Sequence, residues 1–593
     1  MLDAGELPSL ARMRDRGGFS TVATTSPAQT PVAWSSFATG TNPGGHGIFD
    51  FLRRDPATYR LDIAFNRYEP AGAFRPPRAI NSRRGTPVWE ILADRGIDST
   101  ILRCPATYPP DPRAGRMLSG MGVPDLRGGF GTTTLYTSCD RTQAQEGERV
   151  VVVGDGSDGP IVSKIMGPLH SRDRSELASP FTIELDPVAR TGTIRADGAP
   201  TGLVIAEGTW SDWLPVSFKL GMFQTVRGIV RFYLAKVSPT FELYASPVNF
   251  DPASPAFPIS HPPEFASDLA RDLGLFHTTG MVEDHGGLNN GRIDETAYLD
   301  QCDLAWRERE AMLLHSLDTF ESGLLYCLFD TPDRVQHMFW RYRDPLHPLH
   351  ENDPDMVRMI EDQYRRSDTM VGHALEAADD ETLIVALSDH GFGPYRRAVH
   401  LNTWLLEKGL LNLKPGFEPG DASGDMLRGV DWSRTRAYSV GLGGLYLNLR
   451  GRESEGIVDE GEADRLKAQI ARALNGLLDP VDGTRAIRDV KSSEEVYSGP
   501  FVAEAPDLLV HFAEGYRASS KTSMGGVASS VFEDNRKKWS GDHIIDPALV
   551  PGVLLMDRPF QGQSARLEDL APTILEAMGV PKGPAMEGRS LLS

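Results

Sequence analysis

Asp389-His390-Gly391 follows the apolar run Leu383-Ile384-Val385-Ala386-Leu387 after a single Ser388. Adjacent Asp and His are hard-to-intermediate metal ligands, and the glycine lets the backbone turn sharply enough for both side chains to aim at one point. The same three residues also fit a turn in which Asp389 caps a helix. A second pair, Asp333 and His337, comes soon after the apolar run Leu324-Leu325-Tyr326-Cys327-Leu328-Phe329. If residues 333–340 are helical, the four-residue spacing puts carboxylate and imidazole one turn apart on one face, as a clamp on a single metal requires. The plainer reading is a solvated helix-face pair beside Arg334. Two strand ends that each deliver Asp plus His favour the metal. Near the start, Thr30-Pro31 precedes an apolar segment and reads as a helix entry, with Thr30 at the cap and Pro31 in the first position. The Thr30 hydroxyl then serves either as a cap alone or as a nucleophile at the positive end of the helix dipole.

These residues need elements to hold them. Five apolar residues between polar ones read as a strand buried on both faces, and in open α/β sheets ligands gather beyond the carboxyl ends of such strands. Leu7, Leu10 and Met13 recur at helical spacing before Gly17-Gly18, which predicts a helix that stops there. Trp306, Arg309, Glu310 and Leu313 mark a charged amphipathic helix with one face on a sheet. Strand-then-helix alternation with every chemical motif runs over residues 1–140 and 260–593, which predicts one discontinuous α/β catalytic domain. Residues 141–259, with runs such as Arg149-Val150-Val151-Val152-Val153 broken by Gly, Pro, Asp and Ser, predict an inserted, mainly β subdomain. Asn249 to Pro255 reads as the returning linker, and Lys414 to Asp431 as a solvent loop.

With 593 residues the chain has room for a large core, and its net charge of −20 argues against binding a nucleic-acid duplex. The four cysteines, Cys104, Cys139, Cys302 and Cys327, are far apart and form no CxxC pair. They read as thiols in a reducing, cytoplasmic setting and not as a zinc site. No apolar stretch reaches membrane-spanning length.

Taken together, Thr30-Pro31, Thr39-Gly40-Thr41-Asn42-Pro43-Gly44-Gly45-His46-Gly47-Ile48, Asp333 to His337, Ser388 to Gly391, Gly541-Asp542-His543 and Asp569 to Leu575 resemble the alkaline phosphatase superfamily. The nearest branch is that of the type I phosphodiesterases and nucleotide pyrophosphatases. The resemblance implies a central, mostly parallel sheet sandwiched by helices. It also implies a phosphodiesterase that works on a phosphate ester through a phosphothreonine at Thr30, with two divalent ions, zinc or manganese. By position, Asp333, His337 and His543 hold one ion, and Asp389, His390 and Thr30 hold the other. A phosphomutase or phosphomonoesterase of the same superfamily is the alternative, as is an inactive protein that binds a phosphorylated ligand. His46 is expected to make a structural hydrogen bond beneath the site.

The sequence departs from the family pattern in two places. The family opens with a short strand ending in an Asp that ligates the second ion, whereas this sequence begins at the helix after it. The expectation is that the true start lies upstream, or else that the chain is a degenerate member. Made as written, it is expected to expose sheet edges and aggregate. Secondly, Asp50-Phe51 stand where nucleotide pyrophosphatases place an Asn donor, which argues against that activity but leaves ester hydrolysis intact. Arg53, Arg54, Arg341 and Arg343 are candidate phosphate clamps.

Overall fold

Leu10 and Met13 lie along the helix Pro8–Arg16, with Leu7 at its N-cap; the helix has proline in its first turn and ends at Gly17. The first-turn N–H groups of Ser9 and Leu10 donate to the Asp368 carboxylate at 3.2 and 2.8 Å, so groups that a helix start leaves unpaired are satisfied by a distant acid. Met13 is buried against Leu375 and Leu555. A Cβ on Gly17 would stand 2.2 Å from the Met556 carbonyl oxygen, so only glycine lets the chain pass this close to its neighbour. The chain then enters the strand Gly18–Ala23, which pairs antiparallel with Gly552–Met556.

The computed structural model describes all residues except 70–77, 146, 171–173, 221–224 and 593. The chain divides into two compact units: Met1–Arg67, Ile80–Ile97 and Val335–Ser593 form one, and Tyr68–Ala79 with Asp98–Arg334 form the other. In the first unit, a four-stranded sheet runs in the order Val385–Leu387, Gly552–Met556, Gly18–Ala23, Ala565–Arg566. Its first two pairings are antiparallel and its last is parallel. A larger core in the same unit gathers Leu401, Trp404, Tyr438, Leu447 and Ile470, with Tyr59 stacked on Trp432 at 3.6 Å.

In the second unit, Leu324–Cys327 lies parallel to Ser99–Leu102 at the end of another four-stranded sheet. Beside it, the helix Glu295–Thr319 buries Trp306, Arg309 and Leu313. From Thr133 to Phe250 every regular element among the described residues is a strand, including the antiparallel meander Ile161–Leu169, Glu176–Asp186, Thr191–Ala196, Ala199–Ala206. Phe181, Ile183, Ile194 and Phe218 fill its core.

The α/β class matches the expectation from sequence, but three local readings need correction. The strands before the two Asp/His pairs are not buried on both faces. Val385–Leu387 and Leu324–Cys327 each close one end of a sheet, and all their residues are half-buried. Apolar composition predicts a strand but does not say how many neighbours it has. The strands flanking the motifs therefore belong to two sheets and not to one. Thirdly, Asn249–Phe250 is not linker, because it pairs antiparallel with Thr225–Val230.

His46 is fully buried, with its Nδ1 accepting from the Ile48 N–H at 3.2 Å and its Nε2 3.0 Å from the Ser36 hydroxyl. Burial, helped by Arg83 and Arg84, holds its pKa down at about 3. Below the ordinary value of 6.5 the unfolded chain takes up a proton here that the folded chain refuses. Stability is therefore lost as pH falls from 6.5 towards 3, by up to about 1.4 kcal/mol per pH unit. Melting temperatures measured between pH 7 and 4.5 should fall with acid, and less steeply in His46→Asn. Equal slopes in the two proteins would remove His46 from the explanation.

Candidate metal centre

The helix Thr331–Phe339 carries Asp333 in its first turn and His337 in its last, so a single continuous backbone sets their relation. His543 arrives from the Gly541-Asp542 segment, and ligand atoms of Asp333, His337 and His543 all lie within 4.8 Å of one another. Both imidazoles are buried. His337 Nδ1 donates to the Gly541 carbonyl at 2.8 Å, and His543 Nδ1 donates to the Ala28 carbonyl at 2.5 Å. A carbonyl can only accept, so each Nδ1 carries the proton and each Nε2 keeps its lone pair for a metal. Asp333 Oδ2 lies 3.1 Å from Arg334, whose pKa Asp333 and Glu283 raise against the opposing effect of its burial. One carboxylate and two imidazoles fixed in this tautomer fit a divalent ion of zinc's type, with room for further ligands.

Asp389 and His390 follow the edge strand Val385–Leu387. His390 Nδ1 donates to the Gly391 carbonyl at 3.1 Å, and its Nε2 lies 3.4 Å from Asp389 Oδ2. The His390 ring lies flat on His543, with centroids 3.5 Å apart and planes 12° from parallel. The structure thus sets this pair against the first three residues. Among the described residues, Asp333, His337 and His543 are the one group of three or more His, Cys, Asp or Glu side chains close enough to share a metal.

Thr30 is the first residue of the helix Thr30–Thr39, and Gln29, with extended backbone, is the cap. The expected cap position is therefore one residue too late, and Pro31 is second in the helix. The Gln29 side chain does not cap; it donates to Asp50 at 3.0 Å and accepts from the Phe51 N–H at 2.8 Å. Thr30 is half-buried and no side-chain hydrogen bond is made by it among the described residues. Because His543 is bonded to Ala28, the segment that carries it is tied to the chain two residues before Thr30.

Asp50 is buried and accepts from Gln29, Leu442 and Leu52, so it supports the fold beneath the helix entry. Burial raises its pKa. The four candidate arginine clamps are all engaged within the chain: Arg53 with Asp62, Arg54 with Glu453, Arg341 with Glu351 and Arg343 with Glu361. Sequence reasoning missed the aromatic surround. Trp539 stacks on His337 at 3.7 Å, and Phe392 meets His337 edge-on at 4.8 Å and His543 at 5.2 Å. Phe392 sits directly after Asp389-His390-Gly391, which is the signal that could have found it; Trp539 has no comparable local pattern.

The four cysteines are free. Among the described residues, no helix is long and apolar enough to cross a membrane. The model of the type I phosphodiesterase / nucleotide pyrophosphatase family matches residues 1–146 and 243–543, and so covers the helix entry at Thr30 and every candidate ligand above. No curated protein matches the sequence. Among solved structures, phosphonoacetate hydrolase from Sinorhizobium meliloti 1021 in complex with phosphonoacetate is similar at 13% identity, with 97% of this chain and 91% of that chain covered and a TM-score of 0.43. Human ectonucleotide pyrophosphatase / phosphodiesterase 5 is similar at 11% identity, with 98% and 91% covered and a TM-score of 0.38. The alkaline phosphatase PafA is similar at 11% identity, with 98% and 92% covered and a TM-score of 0.40.

Proposed function

We propose, given that this chain belongs to the type I phosphodiesterase / nucleotide pyrophosphatase family and is a phosphoric ester hydrolase, that it cleaves phosphodiesters through a phosphothreonine at Thr30. The observation that carries this reading is the convergence of Asp333, His337 and His543, with His390 stacked on His543. Asp333, His337 and His543 would hold one divalent ion, and Asp389 and His390 together with Thr30 a second, zinc or manganese. When bound, such ions neutralise charge on phosphoryl oxygens and lower the pKa of a neighbouring hydroxyl.

The chain's own residues supply the rest. The helix Thr30–Thr39 points its positive end toward charge that develops at Thr30. Thr30 Oγ1 attacks phosphorus in line, forming a threonine–phosphate ester that keeps the substrate's second alcohol, as the bond to the leaving alkoxide breaks; water later releases that alcohol as its phosphomonoester. The hydroxyl proton leaves with the departing alcohol. Water then attacks the phosphothreonine, the phosphorus–Oγ1 bond breaks, and Thr30 recovers its proton. The carbonyls of Gly541 and Ala28 hold both imidazoles in the required tautomer throughout.

Dialysis against a chelator should abolish hydrolysis of an aryl phosphodiester, and added Zn²⁺ or Mn²⁺ should restore it, with the matching monoester cleaved more slowly. Hydrolysis that persists without metal, or no hydrolysis of either ester with either ion, would contradict the proposal.

A further inference from the structure

The Asp542 carboxylate is completely buried next to a metal ligand, yet its oxygens are taken up by other donors. Oδ1 accepts from the backbone N–H groups of His543 and Ile544 at 2.8 and 2.9 Å. Oδ2 accepts from Trp539 Nε1 at 2.8 Å and lies 3.0 Å from Arg517 Nε. A carboxylate offers about four lone-pair positions. Three hydrogen bonds and the adjacent Arg517 charge hold the Asp542 oxygens within the protein. The contacts of Asp542 reach both imidazoles of the centre. Through Oδ1 it fixes the turn that presents His543. Through Oδ2 it tethers the indole whose face lies on His337, and the carbonyl that fixes His337 Nδ1 belongs to Gly541, the residue just before it. Arg517 is buried over the Tyr395 ring at 5.0 Å, so the acid's counter-charge is also fixed in place.

We infer that Asp542 is a positioning residue for the metal centre, acting through Trp539 on His337 and through the backbone turn on His543. This rests on the proposed reading of Asp333, His337 and His543 as metal ligands. Loss of an outer partner of a ligating histidine weakens metal binding by about 10–100-fold, and Asp542 governs two such histidines.

The test is zinc affinity, measured by competition with a chromophoric chelator. Trp539→Phe keeps an aromatic ring beside His337 and removes the N–H that Asp542 accepts, along with part of the indole; in the folded variant zinc should bind about 10-fold more weakly. Asp542→Asn should bind about 10–100-fold more weakly. The double variant should be no worse than Asp542→Asn, because both changes break the same link. The visible absorption of bound cobalt(II) should also change shape in Trp539→Phe, which a purely structural role would not cause. If Asp542→Asn fails to fold, Trp539→Phe decides the matter alone. Zinc binding within twofold of the unaltered protein in folded variants would overturn the inference and leave the metal reading standing. Failure of the unaltered protein to bind zinc would overturn both.

Discussion

Thr30→Ala loses hydrolysis of the aryl phosphodiester, by at least about 10³-fold in kcat, the scale on which removing a nucleophile costs. It does so without unfolding the protein. Thr30 is half-buried, makes no side-chain hydrogen bond among the described residues, and is not the helix cap, a place that Gln29 holds. A surface-type substitution of this kind moves stability by no more than about 0.5 kcal/mol. The expected signature is an unchanged melting curve and unchanged zinc affinity at the group Asp333, His337 and His543, with almost no turnover. Thr30→Ser keeps the hydroxyl and should keep a measurable part of the rate. An alanine variant within tenfold of the unaltered protein would take the nucleophile's role from Thr30.

His337→Ala has the second-largest effect, and it acts through the metal. The ring is one of three converging candidate ligands, is stacked on Trp539 and is held at Nδ1 by Gly541. Its removal should weaken zinc binding by more than the 10–100-fold that an outer partner costs, and activity should fall with it. Zinc affinity at the group Asp333, His337 and His543, read beside turnover, separates this variant from Thr30→Ala: the first loses that site and the rate, the second the rate with that site intact. Unchanged zinc affinity there in His337→Ala would mean that the histidine is no ligand.

The contrast between the two variants follows what each residue's surroundings made readable. The Asp333/His337 pair could be read from sequence because a helix fixes the geometry of residues four apart. The helix Pro8–Arg16 was legible in the same way, from Leu7, Leu10, Met13 and the glycine that ends it. The β-rich stretch announced itself by short β-branched runs between turn residues. What escaped depended on contacts between distant segments. The flat stack of His390 on His543 and the tether from Trp539 to Asp542 leave no periodicity behind. Arg309 reads only as one residue of a charged amphipathic helix with one face on a sheet, and nothing local shows that it is fully buried, 3.9 Å from Asp330. Val385–Leu387 and Leu324–Cys327 show why an apolar run cannot place a strand within its sheet: the residue types that suit a central strand also occur at an edge. The one-residue difference at Thr30 is of the ordinary size for a helix boundary. It still changes the chemistry, since a cap's hydroxyl is occupied and a first-turn hydroxyl is not.

The central claim is a covalent phosphothreonine at Thr30, and acid quenching during turnover of an aryl phosphodiester tests it most directly. Peptide mass spectrometry of the quenched, metal-loaded enzyme should find on Thr30 a phosphoryl group still carrying the substrate's second ester group, and this adduct should disappear once substrate is exhausted. Turnover at full rate with Thr30 unmodified, or with the group on another residue, would contradict the account.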